Sequence, residues 1–181
     1  MKNNTFVHKY IKPLINKNDI VVDMTVGNGN DTLFLCGLAK EVIGFDIQKE
    51  AIEKTSLKTK EYNNLTLIND NHINIDKYLN KKIKLFIFNL GYLPNSDSNI
   101  ITNKEDTLIA FKKAYDLLID DGYIIITFYL GHIGGKDEYY LLDKYIKENN
   151  IRVIETYKEH KNLNEPVNYI IKKTSHIKMM P

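Results

Sequence analysis

Short apolar runs alternate along most of the chain with longer segments in which apolar residues recur at a helical period. The apolar runs cover residues 20–22, 42–45, 65–68, 83–88 and 123–129. The helical segments between them begin near residues 33, 49 and 104. Because buried parallel strands are connected through helices, this alternation predicts a largely parallel sheet with helices on both faces.

The two ends of the chain depart from this alternation. Thr5 to Ile15 has a helical period, with Thr5 as the expected N-cap and Pro13 making the inner part irregular. Near the other end, a helix predicted over 137–149 is followed by two runs, 151–157 and 167–172, with no helix between them. These two runs predict an antiparallel hairpin at the edge of the sheet, which brings the expected number of strands to seven.

A glycine turn follows the first strand and is the strongest candidate for a ligand site. Gly27 and Gly29 allow positive φ and let a ligand approach the main chain. We expect Asp31 or Thr32 to cap the helix that follows. Asp46 ends the second strand, where a carboxylate can accept both hydroxyl groups of a ribose.

Two classes of nucleotide cofactor fit a strand, glycine turn and helix followed by an acid. A dinucleotide fold requires a third glycine where this chain has Thr32, and Asp23 at the end of the first strand would repel a pyrophosphate. An acid there suits a cation, such as the amino group of S-adenosylmethionine. The sequence therefore favours a methyltransferase over a dehydrogenase. It predicts the Rossmann-like α/β fold of class I S-adenosylmethionine-dependent methyltransferases, in which a reversed strand pair closes a mostly parallel sheet.

The residues expected to bind the cofactor lie in the turn, at the ends of the second and third strands, and at the end of the fourth. They are Asp23, Thr25, Gly27, Asn28, Gly29, Asn30, Asp31, Thr32, Asp46, Ile47, Gln48, Asp70, His72 and Asn89. Asp70 and His72 have an equally good alternative interpretation as part of a polar turn that caps the next helix. The pattern predicts no metal site.

The fourth strand continues directly into Asn89-Leu-Gly-Tyr-Leu-Pro94, and the loop resembles the Asn-Pro-Pro-Tyr motif of amino-group methyltransferases. We expect the Asn89 carbonyl to aim an amine at the methyl group, while apolar neighbours desolvate the amine and no strong base is needed. The fifth strand opens into a glycine-rich loop that contains His132 and Lys136. The candidate catalytic residues are Asn89, Tyr92 and His132. The candidate substrate-binding residues are Leu90, Gly91, Tyr92, Leu93, Pro94, Tyr129, His132 and Lys136. Among the other histidines, His8 is interpreted as a packed surface residue.

Composition sets limits on the class of protein. The chain has 181 residues, 43% of them hydrophobic, which is enough for a single domain over residues 1–181. No apolar run is long enough to cross a membrane, no signal peptide is recognisable, and Cys36 has no partner for an intrachain disulfide, so we expect a cytoplasmic protein. A net charge of +2 does not by itself predict nucleic-acid binding. The oligomeric state is open, a homodimer included.

Taken together, the motifs resemble those of the small bacterial family of rRNA methylases over nearly the whole chain. The matching runs are 23–32, 44–48, 88–94, Gly131-His132 with Gly135-Lys136, and 162–166. The resemblance implies S-adenosylmethionine-dependent methylation of the 5-aminomethyl nitrogen of a modified (2-thio)uridine at the wobble position, with the tRNA anticodon stem-loop as partner. Met24 and Val26 replace smaller residues of the family, and Leu163 replaces a glutamine. An rRNA or small-molecule methyltransferase and a non-catalytic nucleoside-binding module are the alternatives.

Overall fold

The computed structural model describes residues 3–90, 104–158 and 165–174. Seven strands form one sheet: β1 (Ile20–Asp23), β2 (Glu41–Asp46), β3 (Leu65–Asn69), β4 (Ile83–Leu90), β5 (Leu118–Phe128), β6 (Val153–Lys158) and β7 (Val167–Lys172). The helices are α1 (Asn3–Ile11), α2 (Asn30–Leu38), α3 (Lys49–Lys58), α4 (Ile75–Tyr78), α5 (Lys104–Leu117) and α6 (Gly135–Glu148), and a 3-10 turn covers His72–Asn74.

The order of the strands across the sheet is β3-β2-β1-β4-β5-β7-β6. The first five strands are parallel, and β7 runs antiparallel to both β5 and β6. The chain therefore reverses its direction of strand addition between β3 and β4. This topological switch point is where open α/β sheets bind their ligands. The predicted seven-stranded, mostly parallel sheet with a reversed C-terminal strand pair is confirmed.

Two hydrophobic layers cover the two faces of the sheet, because successive strand residues point to opposite sides. On one face, Val21 and Leu85 pack with α1 and α2. On the other, Val22 and Phe86 pack with α4, α5 and α6. Among the described residues, no helix has the length and apolar character needed to cross a membrane.

Several predicted boundaries are wrong. The first helix begins at Asn3, so Thr5 lies inside it and is not its N-cap, and it ends at Ile11 rather than Ile15. Because Pro13 cannot continue a helix without losing a backbone hydrogen bond, an end before this residue is physically reasonable. The apolar period from residue 49 predicts a helix as far as Tyr62, but the helix ends at Lys58.

Candidate active site

Parallel strand pairing brings three polar strand ends to one edge of the sheet. Asp23 pairs in register with Gly44 of β2 and with Ile87 of β4. Asp46 ends β2, and Asn89 lies next to Thr127 of β5. The sequence-based expectation that these side chains share the carboxyl edge of the sheet therefore agrees with the strand register.

The glycine turn between β1 and α2 has the backbone conformation that its sequence predicts. Gly27 and Gly29 have φ values of 49° and 73°. A Cβ at Gly29 would lie 2.7 Å from the hydroxyl oxygen of Thr55, so the turn also packs tightly against α3. Lys58 of α3 donates hydrogen bonds to the Asn28 carbonyl at 2.8 Å and to Oδ1 of Asn30 at 2.6 Å. The sequence had not singled out Lys58 as a support for this turn.

The predicted cap of the following helix is wrong. Gly29 occupies the N-cap position in a left-handed conformation, and no side chain caps the helix. Asp31 and Thr32 lie within α2, and both are buried. Because neither side chain caps the helix, their oxygens are available for other contacts in the site.

Asp46 shapes the turn as well as facing the site. Its two carboxylate oxygens accept the N–H groups of Gly27 and Gln48, each at 2.9 Å. Burial raises the pKa of Asp46, and the backbone hydrogen bonds oppose this shift. Each oxygen has two lone pairs, so both can accept a further hydrogen bond from a ribose. The neighbouring Ile47 is 54% exposed, which leaves an apolar surface beside the acid.

Asp23 is fully buried, whereas the sequence predicted that this acid contacts a bound cation. Its oxygens accept the Thr32 hydroxyl at 2.7 Å and the Thr25 N–H at 3.2 Å. Burial and the nearby charge of Asp31 raise the pKa of Asp23 to about 7. Asp23 thus ties the end of β1 to α2, and its predicted contact with the amino group of the cofactor stays a prediction. Thr32, whose hydroxyl donates to Asp23, is also fully buried.

Asp31 joins two side chains from different parts of the fold. One carboxylate oxygen lies 2.5 Å from Nε2 of His8, and the other accepts Nδ2–H of Asn89 at 2.6 Å. The His8 ring stacks on Phe34, with the ring centroids 3.9 Å apart. The backbone N–H of Asn89 donates to the Thr25 hydroxyl at 2.9 Å. Asn89 is therefore fixed by both its main chain and its side chain.

The sequence interpretation missed His8, which had been assigned to the packed surface. Its partner lies 23 residues away, in a different helix. Neither the helical period of α1 nor the spacing to the glycine turn specifies how these two helices pack. The sequence predicts only that the helical segment containing His8 covers the end of the sheet where the cofactor binds.

The hydrogen bonds of Asp70 and His72 fit the interpretation as a polar turn, and their predicted contact with the cofactor stays a prediction. Asp70 accepts hydrogen bonds from the Tyr78 hydroxyl, the Asn74 amide and the Asn71 N–H, and the hydrogen bond from Tyr78 is the main cause of its lowered pKa. His72 is buried with Nδ1 3.3 Å from the Met24 carbonyl oxygen, and burial lowers its pKa. Both residues hold the polar turn after β3.

The predicted substrate residues fall into three groups. Gly91, Tyr92, Leu93 and Pro94 lie outside the described residues. The side chain of Leu90 is fully buried in the core, so the prediction that it contacts the substrate is corrected. Successive strand residues point to opposite faces of the sheet, and Leu90 lies on a buried face. The Tyr129 and His132 rings stack at the end of β5, with centroids 5.4 Å apart, and Lys136 is exposed nearby.

Two neighbouring cavities open beside this loop. One, of about 300 Å³, is lined by residues 130–134 with Lys136 and Asp137. The other, of about 480 Å³, is lined by Leu130, Lys136, Tyr139, Tyr140, Thr156, Lys158 and Val167. Both are lined by Leu130 and Lys136, so the two cavities adjoin each other, and together they form the depression beside β5 that reaches β6. The sequence interpretation had not identified its β6 side.

Comparison with known proteins agrees with this geometry. A chloroplastic tRNA (mnm(5)s(2)U34)-methyltransferase of Arabidopsis thaliana is 37% identical over 147 residues, which cover 72% of this chain and 54% of that protein. This chain thus spans about half the length of the Arabidopsis relative. A crystal structure of a "putative methyltransferase" from Streptococcus mutans in complex with SAH is 35% identical, has a TM-score of 0.85, and matches over 96% of this chain and 98% of that one. A "putative rRNA-methylase" structure from Clostridium thermocellum is 37% identical, with a TM-score of 0.85 and coverage of 95% and 98%.

The sheet order, the glycine turn and the acid at the end of β2 define a class I S-adenosylmethionine-dependent methyltransferase fold. The model of one family of this class, described as "Putative rRNA methylase", matches residues 42–172. The chain belongs to this family, as its motifs had indicated.

Proposed function

We propose that this chain is an N-methyltransferase that uses S-adenosylmethionine to methylate the 5-aminomethyl group of a modified uridine at the wobble position of tRNA. The observation that carries the proposal is the Asn89 side chain, held at the carboxyl edge of the sheet by its 2.6 Å hydrogen bond to Asp31. The choice of a tRNA substrate draws support from the Arabidopsis relative, whose name specifies a tRNA modification at U34.

S-adenosylmethionine is the cofactor, and it supplies the electrophilic methyl group when bound. The related Streptococcus mutans protein is described in complex with SAH, the species that remains after a methyl group has been transferred. In this chain, Asp46 is suited to accept the ribose hydroxyls, since its carboxylate lies at the end of β2 with unused lone pairs. The exposed Ile47 offers an apolar surface for the adenine, and the glycine turn permits close approach of the ligand to the main chain.

Asn89 has the chemistry that an amine acceptor requires. A carboxylate can only accept hydrogen bonds, so Asp31 selects the NH₂ group of Asn89 and leaves Oδ1 for another partner. That oxygen can accept an N–H of the substrate amine and orient the nitrogen lone pair for attack. The substrate ammonium first loses a proton to solvent, and the neutral amine then attacks the methyl carbon as the bond from that carbon to the cofactor sulfur breaks. The methylated ammonium that forms releases its extra proton to solvent. Desolvation of the amine in the site would favour the neutral form because it disfavours the charged ammonium.

The depression beside β5 is suited to a substrate larger than a free nucleoside. Lys136 and Lys158 lie along it, and Tyr140 is 64% exposed at its side. Lysines neutralise phosphates, while exposed aromatic rings stack on unpaired bases. Nucleotides that flank the target base of an RNA loop would therefore find both kinds of contact beyond the end of β5, the strand that pairs with β4 at Asn89.

The test is mass spectrometry of wobble nucleosides after the protein and S-adenosylmethionine are incubated with three tRNAs. These carry an unmodified, a 5-aminomethyl or a 5-carboxymethylaminomethyl uridine. We expect a gain of one methyl group only on the 5-aminomethyl tRNA, and no gain with Asn89→Ala. Methylation of the unmodified tRNA would contradict the proposal. Folded protein that binds S-adenosylmethionine and methylates none of the three tRNAs would also contradict it.

A second candidate function is methylation of rRNA, which the description of the family favours. The same incubation with small- and large-subunit rRNA stripped of its modifications separates the two functions. Under the main proposal, label from S-adenosylmethionine enters tRNA and does not enter either rRNA.

A further inference from the structure

His8 is a partly buried histidine to which the proposed chemistry assigns no role. It lies on α1, its side chain is 26% exposed, and its ring is fixed between two features of α2. One is the stacked ring of Phe34, whose plane is within 1° of parallel. The other is the Asp31 carboxylate, 2.5 Å from Nε2.

The hydrogen-bond directions in this cluster follow from Asp31. The carboxylate accepts and does not donate, so Nε2 of His8 carries the hydrogen on one side and Nδ2 of Asn89 donates on the other. The three side chains form a linear series in which His8 and Asn89 never need to touch. The state of one donor then affects the other through the orientation of the carboxylate.

Burial of the Asp31 carboxylate would cost free energy without a hydrogen-bond donor to each of its two oxygens. Its side chain is only 11% exposed, and the charge of Asp31 acts on the buried Asp23 close by. Two acids near one another repel, and a buried carboxylate needs hydrogen bonds to replace its lost water. If His8 were removed, one oxygen would lose its partner and the carboxylate would be free to rotate about its Cβ–Cγ bond. The amide of Asn89 would then lose the acceptor that sets its direction.

We propose that His8 is a positioning residue that acts through Asp31 to hold Asn89 with its carbonyl oxygen toward the methyl acceptor. The role rests on the proposed function of Asn89 in methyl transfer. It requires an N–H donor at Nε2 and no gain or loss of a proton by the imidazole during turnover. It also makes α1 part of the active site, although no residue of α1 has to contact the cofactor or the substrate.

The first experiment reads the Asn89 side chain directly and needs no substrate. In ¹⁵N-labelled protein, the Asn89 amide protons are assigned by comparison with Asn89→Ala, and their chemical shifts report the hydrogen bond to Asp31. We expect His8→Ala to move these resonances toward the values of a solvent-exposed amide. His8→Gln should keep them near the wild-type positions, because its amide can donate to Asp31. Lys9→Ala, an exposed neighbour on α1, is the matched control and should change nothing.

The second experiment measures single-turnover methylation of 5-aminomethyl tRNA. We expect His8→Ala to slow transfer by about 10- to 100-fold, the size of effect that misplacement of a reacting group produces. Affinity for S-adenosylmethionine should change less than about twofold, and His8→Gln should recover most of the rate. The double variant His8→Ala with Asn89→Ala should be no slower than Asn89→Ala alone, because residues that act as a unit are not additive.

Each contrary result has one meaning. A wild-type rate in His8→Ala, or an additive effect in the double variant, overturns the positioning role. His8→Gln as slow as His8→Ala shows that the donor is not what matters. If His8→Ala does not fold, the amide shifts and rates of His8→Gln and of Phe34→Leu, which removes the stacked ring, decide the question. Wild-type protein that leaves 5-aminomethyl tRNA unmethylated contradicts the proposed function instead, and the amide shifts still test the contact between His8, Asp31 and Asn89.

Discussion

The amide nitrogen of Asn89 lies 2.6 Å from Oδ2 of Asp31, so a residue at the end of β4 takes its orientation from the first turn of α2. This relationship separates two kinds of side chain in the site. Asn89 faces the reaction, whereas Asp31 determines how it does so. Variants of either residue should therefore slow methyl transfer and leave cofactor binding largely intact.

Asn89→Ala should reduce methyl transfer by about 100-fold or more, as expected for the loss of a group that orients the nucleophile. Binding of S-adenosylmethionine, measured by calorimetry, should change only a few-fold. Raising the pH should restore part of the rate if amine protonation limits the step, because the neutral amine becomes more abundant. A wild-type rate on 5-aminomethyl tRNA would leave Asn89 a structural residue.

Asp31→Asn should impair transfer although it preserves size and shape. An amide at position 31 can present an N–H where Asn89 needs an acceptor, so the Asn89 side chain can turn over and point its NH₂ toward the amine. We expect a lower kcat with a nearly unchanged affinity for S-adenosylmethionine. Asn71→Ala, which alters the polar turn after β3, serves as a control and should leave kcat intact. Equal reductions of kcat in the two variants would contradict this role of Asp31.

Asp46→Ala should weaken binding of S-adenosylmethionine, since each hydrogen bond to a charged group contributes roughly 1.5–3 kcal/mol. If Asp46 only faced the ligand, the fold would not depend on it. The structure adds a cost, because the N–H groups of Gly27 and Gln48 lose their acceptor. Calorimetry and thermal melting should therefore both respond. Unchanged affinity with a lower melting temperature would make Asp46 purely structural.

The protein should bind S-adenosylmethionine and not NAD. Thr32 occupies the position of the third glycine of a dinucleotide fingerprint, and its side chain is buried against Asp23. A pyrophosphate at the glycine turn would lie close to the carboxylate of Asp46 at the end of β2, which would repel it. Calorimetric titration with each ligand provides the measurement, and NAD binding in the absence of S-adenosylmethionine binding would contradict the methyltransferase assignment.

Stability of the cofactor-free protein should fall between about pH 4 and pH 8 because of Asp23. Its pKa is raised from 3.8 to about 7 in the folded state, so the folded protein holds a proton that the unfolded chain has released. The stabilisation is complete below the unfolded pKa and is lost as pH rises through 7. At about 1.4 kcal/mol per pKa unit, the loss is at most about 4 kcal/mol.

Asp23→Asn should flatten this pH dependence in chemical denaturation measured across the same range. Glu138 is a matched second site, because burial raises its pKa from 4.5 to about 7 and it accepts the Thr107 hydroxyl at 2.6 Å. Glu138→Gln should remove its own share of the slope and leave that of Asp23. A slope that survives both substitutions would assign the effect to other groups.

Lys136→Ala and Lys158→Ala should weaken binding of an anticodon stem-loop RNA and reduce its dependence on salt. For single-stranded RNA, each phosphate that a lysine no longer neutralises reduces the slope of log K against log salt by about 0.7. Lys144→Ala on α6 is the control, because that lysine is 70% exposed and lies 3.8 Å from Glu148. Fluorescence anisotropy at several salt concentrations gives both quantities. Equal slopes for all three variants would place the RNA elsewhere.

The sequence predicts the sheet well because its information is local. Apolar runs that end in Asp23, Asp46 and Asn89 mark strands, and parallel pairing then brings their ends together. The contact between His8 and Asp31 was not predictable, since it depends on how α1 and α2 pack. Leu90 was misassigned for a related reason: it belongs to a motif in the sequence, but the alternation of strand side chains turns it into the core.

The position of β7 also has a consequence for synthesis on the ribosome. Among the strands, β7 emerges last, yet it lies between β5 and β6 in the sheet. Until it is synthesised, β5 exposes an unpaired edge and β6 has no strand beside it. An open apolar edge is a template for aggregation, so the nascent chain depends on its final strand for protection. A product that terminates before Val167 would keep every predicted catalytic residue and still lack the strand that joins β5 to β6 in the sheet.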